Sequence, residues 1–280
     1  MMPTQLKTEA ARRALAARLR FGFALDSPCD VYELVCKYGL SLRFTKISSM
    51  DGLYLNDGFT GSINVSTLRP SGHQRFTAAH ELGHFIFGHG AHLDEKIEKM
   101  VSDSTEENIA DTFARHLLMS KRSVLRGFAC LSATPKLAGP EQYYAVASWL
   151  GVGYSTLIQH TRWTLQLIDN VTLHRLTLRT PQQIKRSQIP SVSWEGRKEL
   201  WPLAPWWDGA NVHLQKGDIV TGLKSPSMDY FDIGDGCAIA GRVGQFPAML
   251  YGGGAVTLNI SEADYVGMYQ YRYLKEPLDA

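Results

Sequence analysis

The stretch His80-Glu81-Leu82-Gly83-His84 constrains this chain more than any other. It lies in a run from Arg75 to His89 in which Phe76, Ala79, Leu82, Gly83, Phe85, Ile86 and Phe87 are apolar and no proline intervenes, which predicts a buried α-helix. Residues four apart on a helix project from one face, so His80 and His84 present both imidazoles to one point. Two neutral imidazoles at that spacing can bind one Zn²⁺, and Glu81 between them can reach a metal-bound water. A carboxylate between two histidines in an apolar run is costly to bury unless it is paired or used. A pattern this short also arises by chance, with histidines that simply find partners in a core. The helical setting, the small Gly83 and a downstream ligand candidate weigh against that reading.

A catalytic zinc usually takes three protein ligands and leaves one position open. Residues 103–119 read as a second helix, with Ile109, Ala110, Phe113, Ala114, Leu117 and Leu118 in an apolar stripe at helical period. Glu107 and Asp111 share a face of it. Glu107 is the predicted third ligand. Asp111 is predicted to accept a proton from the far nitrogen of His80 or His84, fixing its tautomer. Ser104 and Glu107 are also spaced as a capping box, but Asp103 and Glu106 offer the same spacing and leave Glu107 free. Glu107 is favoured over Glu106 because only Glu107 has a carboxylate one turn on. His89 and His92 are rival ligands. His89 is five residues past His84, so it faces another side of the helix or lies beyond its end, and it reads as structural or rim.

With both motifs in view, the chain resembles the ImmA/IrrE family of zinc metallopeptidases. The resemblance rests on Arg75-Phe76-Thr77 before His80-Glu81-Leu82-Gly83-His84, and on Glu107, Ala110, Asp111, Phe113, Ala114, Leu117, Leu118 and Met119 after it. It covers roughly residues 25–165. The two motifs are specific together and weak apart. The resemblance implies a thermolysin-like metal site, with His80, His84 and Glu107 binding zinc and Glu81 as the base. The chain has Asp111 where the family usually has Asn, which keeps the hydrogen bond to a ligand, and Ser120 where it usually has Pro. The resemblance also implies a protein substrate, typically a DNA-binding repressor of helix-turn-helix type encoded nearby. Its cleavage turns on phage, mobile-element, defence, stress or DNA-damage genes. An oxyanion stabiliser should face the base, and His89, His116 and Tyr154 are the candidates.

A chain of 280 residues is long for one core and points to two domains. Hydrophobic content of 44% and charged content of 20% fit a soluble globular protein, and a net charge of +2 demands no nucleic-acid partner. No apolar run is long enough to span a membrane. The stretch from Met1 to Arg20 is Arg-rich and lacks the apolar region of a signal peptide. Cys29, Cys36, Cys130 and Cys237 have no metal-ligand spacing, and together with that start they imply reduced thiols in the cytoplasm.

The expected fold is α+β: a mainly helical zincin-like peptidase domain at 1–168 with a small N-terminal β-sheet, then a β-rich C-terminal domain at 169–280. Residues 4–20 read as an amphipathic helix with Leu6, Ala10, Leu15, Ala16 and Leu19 on one side and a solvated basic face. A second helix runs from Asp30 to a Gly39 cap. Strands follow at 40–44, 52–55 and 62–65, the last two joined through Asn56-Asp57-Gly58, and 62–65 is the expected edge that could hold an extended substrate. Residues 141–165 read as a helix-turn-helix-like pair, but Tyr154 to His160 carries no Lys or Arg for phosphates, so packing is the better reading.

Beyond Asp169, seven segments read as strands, beginning with Val171–Leu178 and ending with Val266–Leu274. Trp194, Trp201, Trp206 and Trp207 read as a core cluster before a stacking surface for bases. In the resembled family such C-terminal domains often act as sensors. The basic bias of Arg162, Arg175, Arg179, Lys185, Arg186, Arg197 and Lys198 makes single-stranded DNA a candidate activating signal. Three function classes follow: a site-specific zinc endopeptidase, a non-catalytic zinc module that sequesters a repressor, and a DNA-binding regulator. The intact Glu81 favours the first.

Overall fold

The computed structural model describes residues 3–56, 61–89, 104–234 and 236–274. The architecture is α+β, and the chain forms two compact units. The first comprises residues 1–126 with 150–153 and 266–269; the second takes 127–149, 154–265 and 270–280.

In the first unit, α1 (Thr4–Arg20) buries Ala10, Ala14, Ala17 and Arg18. Of the face expected from the sequence, Leu6, Ala10, Leu15, Ala16 and Leu19, Ala10 is buried and Leu19 is exposed. Small alanines let the helix lie close to its neighbours, and Arg18 can sit inside because three carbonyls accept from it. Its Nη1 donates to Leu117 O at 2.9 Å, and its Nη2 to Ala24 O and Ser27 O. Helix α2 (Val31–Lys37) starts at Asp30, whose carboxylate caps the amides of Tyr32 and Glu33, and it stops before Gly39 at φ 79°.

Strands β1 (Ser41–Thr45), β2 (Gly52–Asn56) and β3 (Gly61–Ser66) follow. β1 buries Leu42 and Phe44 on alternate positions. It pairs parallel with β3, and β2 pairs antiparallel with β3. A short strand from the far end of the chain, Gly267–Met268, covers the outer side of β1. Among the described residues β2 is the edge strand on this side of the sheet, and residues 62–65 lie inside it as β3. Asp57 and Gly58 of the expected turn lie outside the described residues.

Helix α3 (Ser71–Phe87) carries the histidine motif and ends at Gly88 in the left-handed region, φ 67°. Helix α4 (Ser104–Leu118) packs across it. At the crossing, Gly83 faces Ala110 and Phe113; a Cβ there would lie 3.1 Å from Ala110 Cα. Ser120, where the resembled family usually has proline, caps α5 (Lys121–Cys130) by accepting from Ser123 N at 3.1 Å.

In the second unit, α6 (Pro140–Leu150) and α7 (Tyr154–Gln159) are followed by a π-helical turn, His160–Thr164. Helices α8 (Asn170–Thr177) and α9 (Pro181–Gln188) come next. Val171–Leu178, expected as a strand, is thus mostly α8. Its valine, threonine and leucines suit a strand by composition, but Asp169 accepts from Thr172 N at 2.8 Å and starts a helix that buries Thr172 and Leu176 one turn apart. Helix α9 adds a full capping box, Thr180 with Gln183.

The β-rich part begins at β4 (Leu200–Pro202). It continues with β5 (Asn211–Gln215), β6 (Ile219–Thr221), β7 (Phe231–Gly234), β8 (Cys237–Ala240), β9 (Gly244–Met249) and β10 (Ala255–Ser261). They form two sheets, β5-β10-β9 and β4-β6-β8-β7. Val266–Leu274, expected as a strand, contributes only the two-residue strand at Gly267–Met268 before a 3-10 turn over Tyr269–Tyr271.

Candidate metal centre

Helices α3 and α4 bring the predicted residues of the first unit together. His80, His84 and Glu107 each offer one ligand atom, and these atoms lie within 4.8 Å of one another. His80 Nε2 is 3.1 Å from Glu107 Oε2 and 3.0 Å from His84 Nε2, and Glu107 Oε1 is 3.6 Å from His84 Nε2. The four-residue spacing on α3 aims both Nε2 atoms at one point, and the close crossing at Gly83 brings α4 near enough for Glu107 to reach it.

Asp111, one turn beyond Glu107, stands behind His80, with Oδ1 3.0 Å from His80 Nδ1. Its other oxygen is 3.8 Å from Arg115 Nη2. Of the two imidazoles open to Asp111 in the sequence reading, the structure selects His80. The outer nitrogen of His84 has a different neighbour: His89 Nδ1, at 3.1 Å. The sequence reading has His89 as structural or rim, without naming its partner. The available signal was Gly88, a residue that turns the chain back at a helix end.

The donor chemistry fits a dication. Two imidazole nitrogens meet at 3.0 Å beside a carboxylate, an arrangement that calls for positive charge at their common point. Burial pulls the His80 pKa down, but hydrogen bonds to Asp111 and Glu107 outweigh it and push the value up to about 9. Hydrogen bonds from His80 and His84 hold the Glu107 carboxyl well below its usual range in spite of burial. With neutral imidazoles, Glu107 and Asp111 carry two negative charges that a dication would balance.

Glu81, between the two histidines on α3, also reaches the sheet. Its Oε2 accepts a hydrogen bond from Tyr54 N at 2.8 Å, on the edge strand β2. Strand and helix come this close because residue 52 is glycine: a Cβ would lie 2.2 Å from Thr77 Cγ2 and 3.3 Å from Glu81 Cγ.

The oxyanion candidates fare differently. His89 lies on the Nδ1 side of His84, opposite the nitrogen that faces the cluster. His116 is nine residues past Glu107 on α4, half a turn round from it, so it points off the other face. Tyr154 OH donates to Leu176 O at 2.8 Å inside the second unit. Glu106 is exposed and has no carboxylate one turn on, as expected. His92 and Asp103 lie outside the described residues.

The basic residues of the second unit are largely tied down. Arg162 donates to Asn170, Arg175 to Lys136 O and Ala138 O, and Arg179 to Ser187. Lys185 pairs with Glu199, and Arg197 with Asp264. Trp194, Trp201 and Trp207 are buried, with indole bonds from Trp194 to Ile189 O and from Trp201 to Asp218. This is the core reading of the tryptophan cluster.

Residues 36–129 match the family Peptidase_M78, described as the IrrE N-terminal-like domain. The matched stretch contains His80, Glu81, His84, Glu107 and Asp111. The match points to a metallopeptidase, in keeping with the three converging ligand atoms on α3 and α4. Among solved structures, a Mycobacterium tuberculosis transcriptional regulator is similar at 17% identity and a TM-score of 0.36, over 57% of this chain and 47% of that one. The chain thus spans under half of that protein's length. No curated protein matches the chain.

Proposed function

We propose that this protein is a zinc-dependent endopeptidase that cleaves one specific protein partner, a helix-turn-helix repressor encoded nearby, to induce stress, DNA-damage, phage or defence genes. The observation that carries the proposal is the convergence of His80, His84 and Glu107, with Glu81 beside them and bonded to the Tyr54 amide of β2. Zinc held there supplies a Lewis acid for the scissile carbonyl and for activation of water. Glu81 is the base: the Tyr54 amide fixes one of its carboxylate oxygens beside the histidines, and the carboxylate takes a proton from water and returns it to the leaving amine. Asp111 holds His80 in the tautomer that presents Nε2. The partner's identity follows the family the chain resembles, and the cytoplasmic setting follows the partner. No described helix is long and apolar enough to cross a membrane.

The second unit is the proposed sensor, with single-stranded DNA as the signal to test first. The experiment incubates zinc-loaded protein with the neighbouring repressor, with and without single-stranded DNA, beside Glu81→Gln. Cleavage by the wild type and not by Glu81→Gln, which keeps its zinc, is the expected result. Equal complex formation by both proteins without cleavage would replace the protease with the sequestering module. Salt-sensitive binding of duplex DNA by the 141–165 pair would favour a DNA-binding regulator.

A further inference from the structure

A neutral imidazole that offers Nε2 to a metal carries its proton on Nδ1, and that proton needs an acceptor. For His80 the acceptor is Asp111. His84 Nδ1 has His89 Nδ1 at 3.1 Å. With His84 as donor, His89 Nδ1 must be the acceptor, and the proton of His89 then sits on its own Nε2.

We propose that His89 is the positioning residue for His84: it holds the tautomer and the plane of that ring so that Nε2 faces Glu107, the part Asp111 takes for His80. This rests on the zinc reading of His80, His84 and Glu107.

The local fold is built for it. Gly88 takes φ 67° and ψ 26°, which turns the chain back over the last turn of α3. His89 N then donates to His84 O at 3.0 Å, so backbone and side chain of residue 89 both engage residue 84. The two rings stand 5.2 Å apart at 66°, edge to face. On its other side the His89 ring stacks on Phe87, 5.7 Å away at 29°. Phe87 is itself held by Arg13, whose Cζ lies 4.4 Å from the ring centre, and by Phe113. An imidazole clamped in this way meets His84 at its outer nitrogen, on the side away from Glu107, the place of an orienting group and not of a fourth ligand.

The test measures zinc affinity of the full chain by competition with a chromogenic chelator, together with melting of the zinc-free protein. His89→Phe keeps the stack on Phe87 and removes the acceptor. It is expected to weaken zinc binding about 10–100-fold with little change in zinc-free melting. His89→Gln restores a carbonyl acceptor and should recover part of that loss. Unchanged affinity in His89→Phe overturns the proposal. So does a loss that His89→Gln fails to repair while melting falls in step, because that marks a packing role alone. His84→Ala separates the two levels: if it loses zinc while His89→Phe does not, only the role of His89 fails. If wild type and His84→Ala take up zinc alike, the metal reading fails and takes His89 with it.

Discussion

At Gly52 there is no room for a side chain, and the atoms in the way belong to the site. The Cβ of Gly52→Ala would meet Thr77 Cγ2 at 2.2 Å, where β-branched Thr77 has few χ1 wells to move to, and backbone Asn64 O at 3.1 Å. Strand β2 must move off α3, and the Tyr54 amide moves with it away from Glu81. Overpacking of this kind costs about 1–3 kcal/mol. A base displaced by about an ångström costs on the order of 100-fold in rate. Gly52→Ala is therefore expected to lower partner cleavage about 10–100-fold while zinc affinity, set by α3 and α4, is unchanged. Adding Thr77→Ser removes the blocking methyl and should restore part of the activity; a double variant no better than Gly52→Ala would show that the clash is elsewhere. The cysteines give a simpler test. Burial pushes the Cys29 thiol up to about 12, and Cys237 is buried as well, whereas Cys36 and Cys130 are exposed. A thiol reagent should label Cys36 and Cys130 in the native protein and reach Cys29 and Cys237 only on unfolding, as counted by mass spectrometry.

Helices α3 and α4 cross at Gly83, and this contact decides whether Glu107 reaches the histidines. Alanine there gains roughly 1 kcal/mol of helix propensity but must push Ala110 Cα, at 3.1 Å, by a few tenths of an ångström. The two effects nearly cancel, so Gly83→Ala should be close to neutral in denaturant unfolding. Gly83→Val has two more methyls and no space for them, so it should lose about 1–3 kcal/mol and bind zinc more weakly, because α4 carries Glu107 outward. If Gly83→Val kept full zinc affinity, the crossing would not be what sets the ligand distance. This element also shows what a sequence reveals. His80, His84, Glu107 and Asp111 could be brought together on paper because helix geometry converts a spacing of four into a shared face, and a glycine in an apolar helix implies a close neighbour. His89 escaped because its approach depends on one left-handed residue, Gly88. The place of β2 at the end of the strand order escaped because that order is settled by distant pairing, with Gly267–Met268 pairing on the other side of β1. Val171–Leu178 was misread because its composition favours a strand, while one cap at Asp169 set the local outcome.

Asp218 ties the stability of the second unit to pH. It is fully buried, and its carboxylate accepts from Glu199 N and Gln215 N, both at 2.9 Å, and from Trp201 Nε1 at 3.0 Å. Burial raises its pKa from 3.8 to about 7, with the three N–H donors pulling the other way. Between those two values the folded protein keeps a proton that the unfolded chain has released. Stability from this site is thus fully present below the unfolded pKa of 3.8 and is lost as pH rises through about 7. From about pH 5 to pH 8 the wild type should lose roughly 2 kcal/mol through Asp218 alone. Asp218→Asn removes the titration. Its amide nitrogen must face one of the three donors, so it starts about 1–3 kcal/mol less stable at acid pH. Its stability should then be flatter with pH, and the gap to wild type should close toward pH 8. Urea unfolding followed by tryptophan fluorescence reads the right region, since Trp201 donates directly to this carboxylate. A gap that stayed constant or widened with pH would mean that the three donors keep Asp218 ionised in the folded state, and that its charge is held by hydrogen bonds strong enough to offset burial.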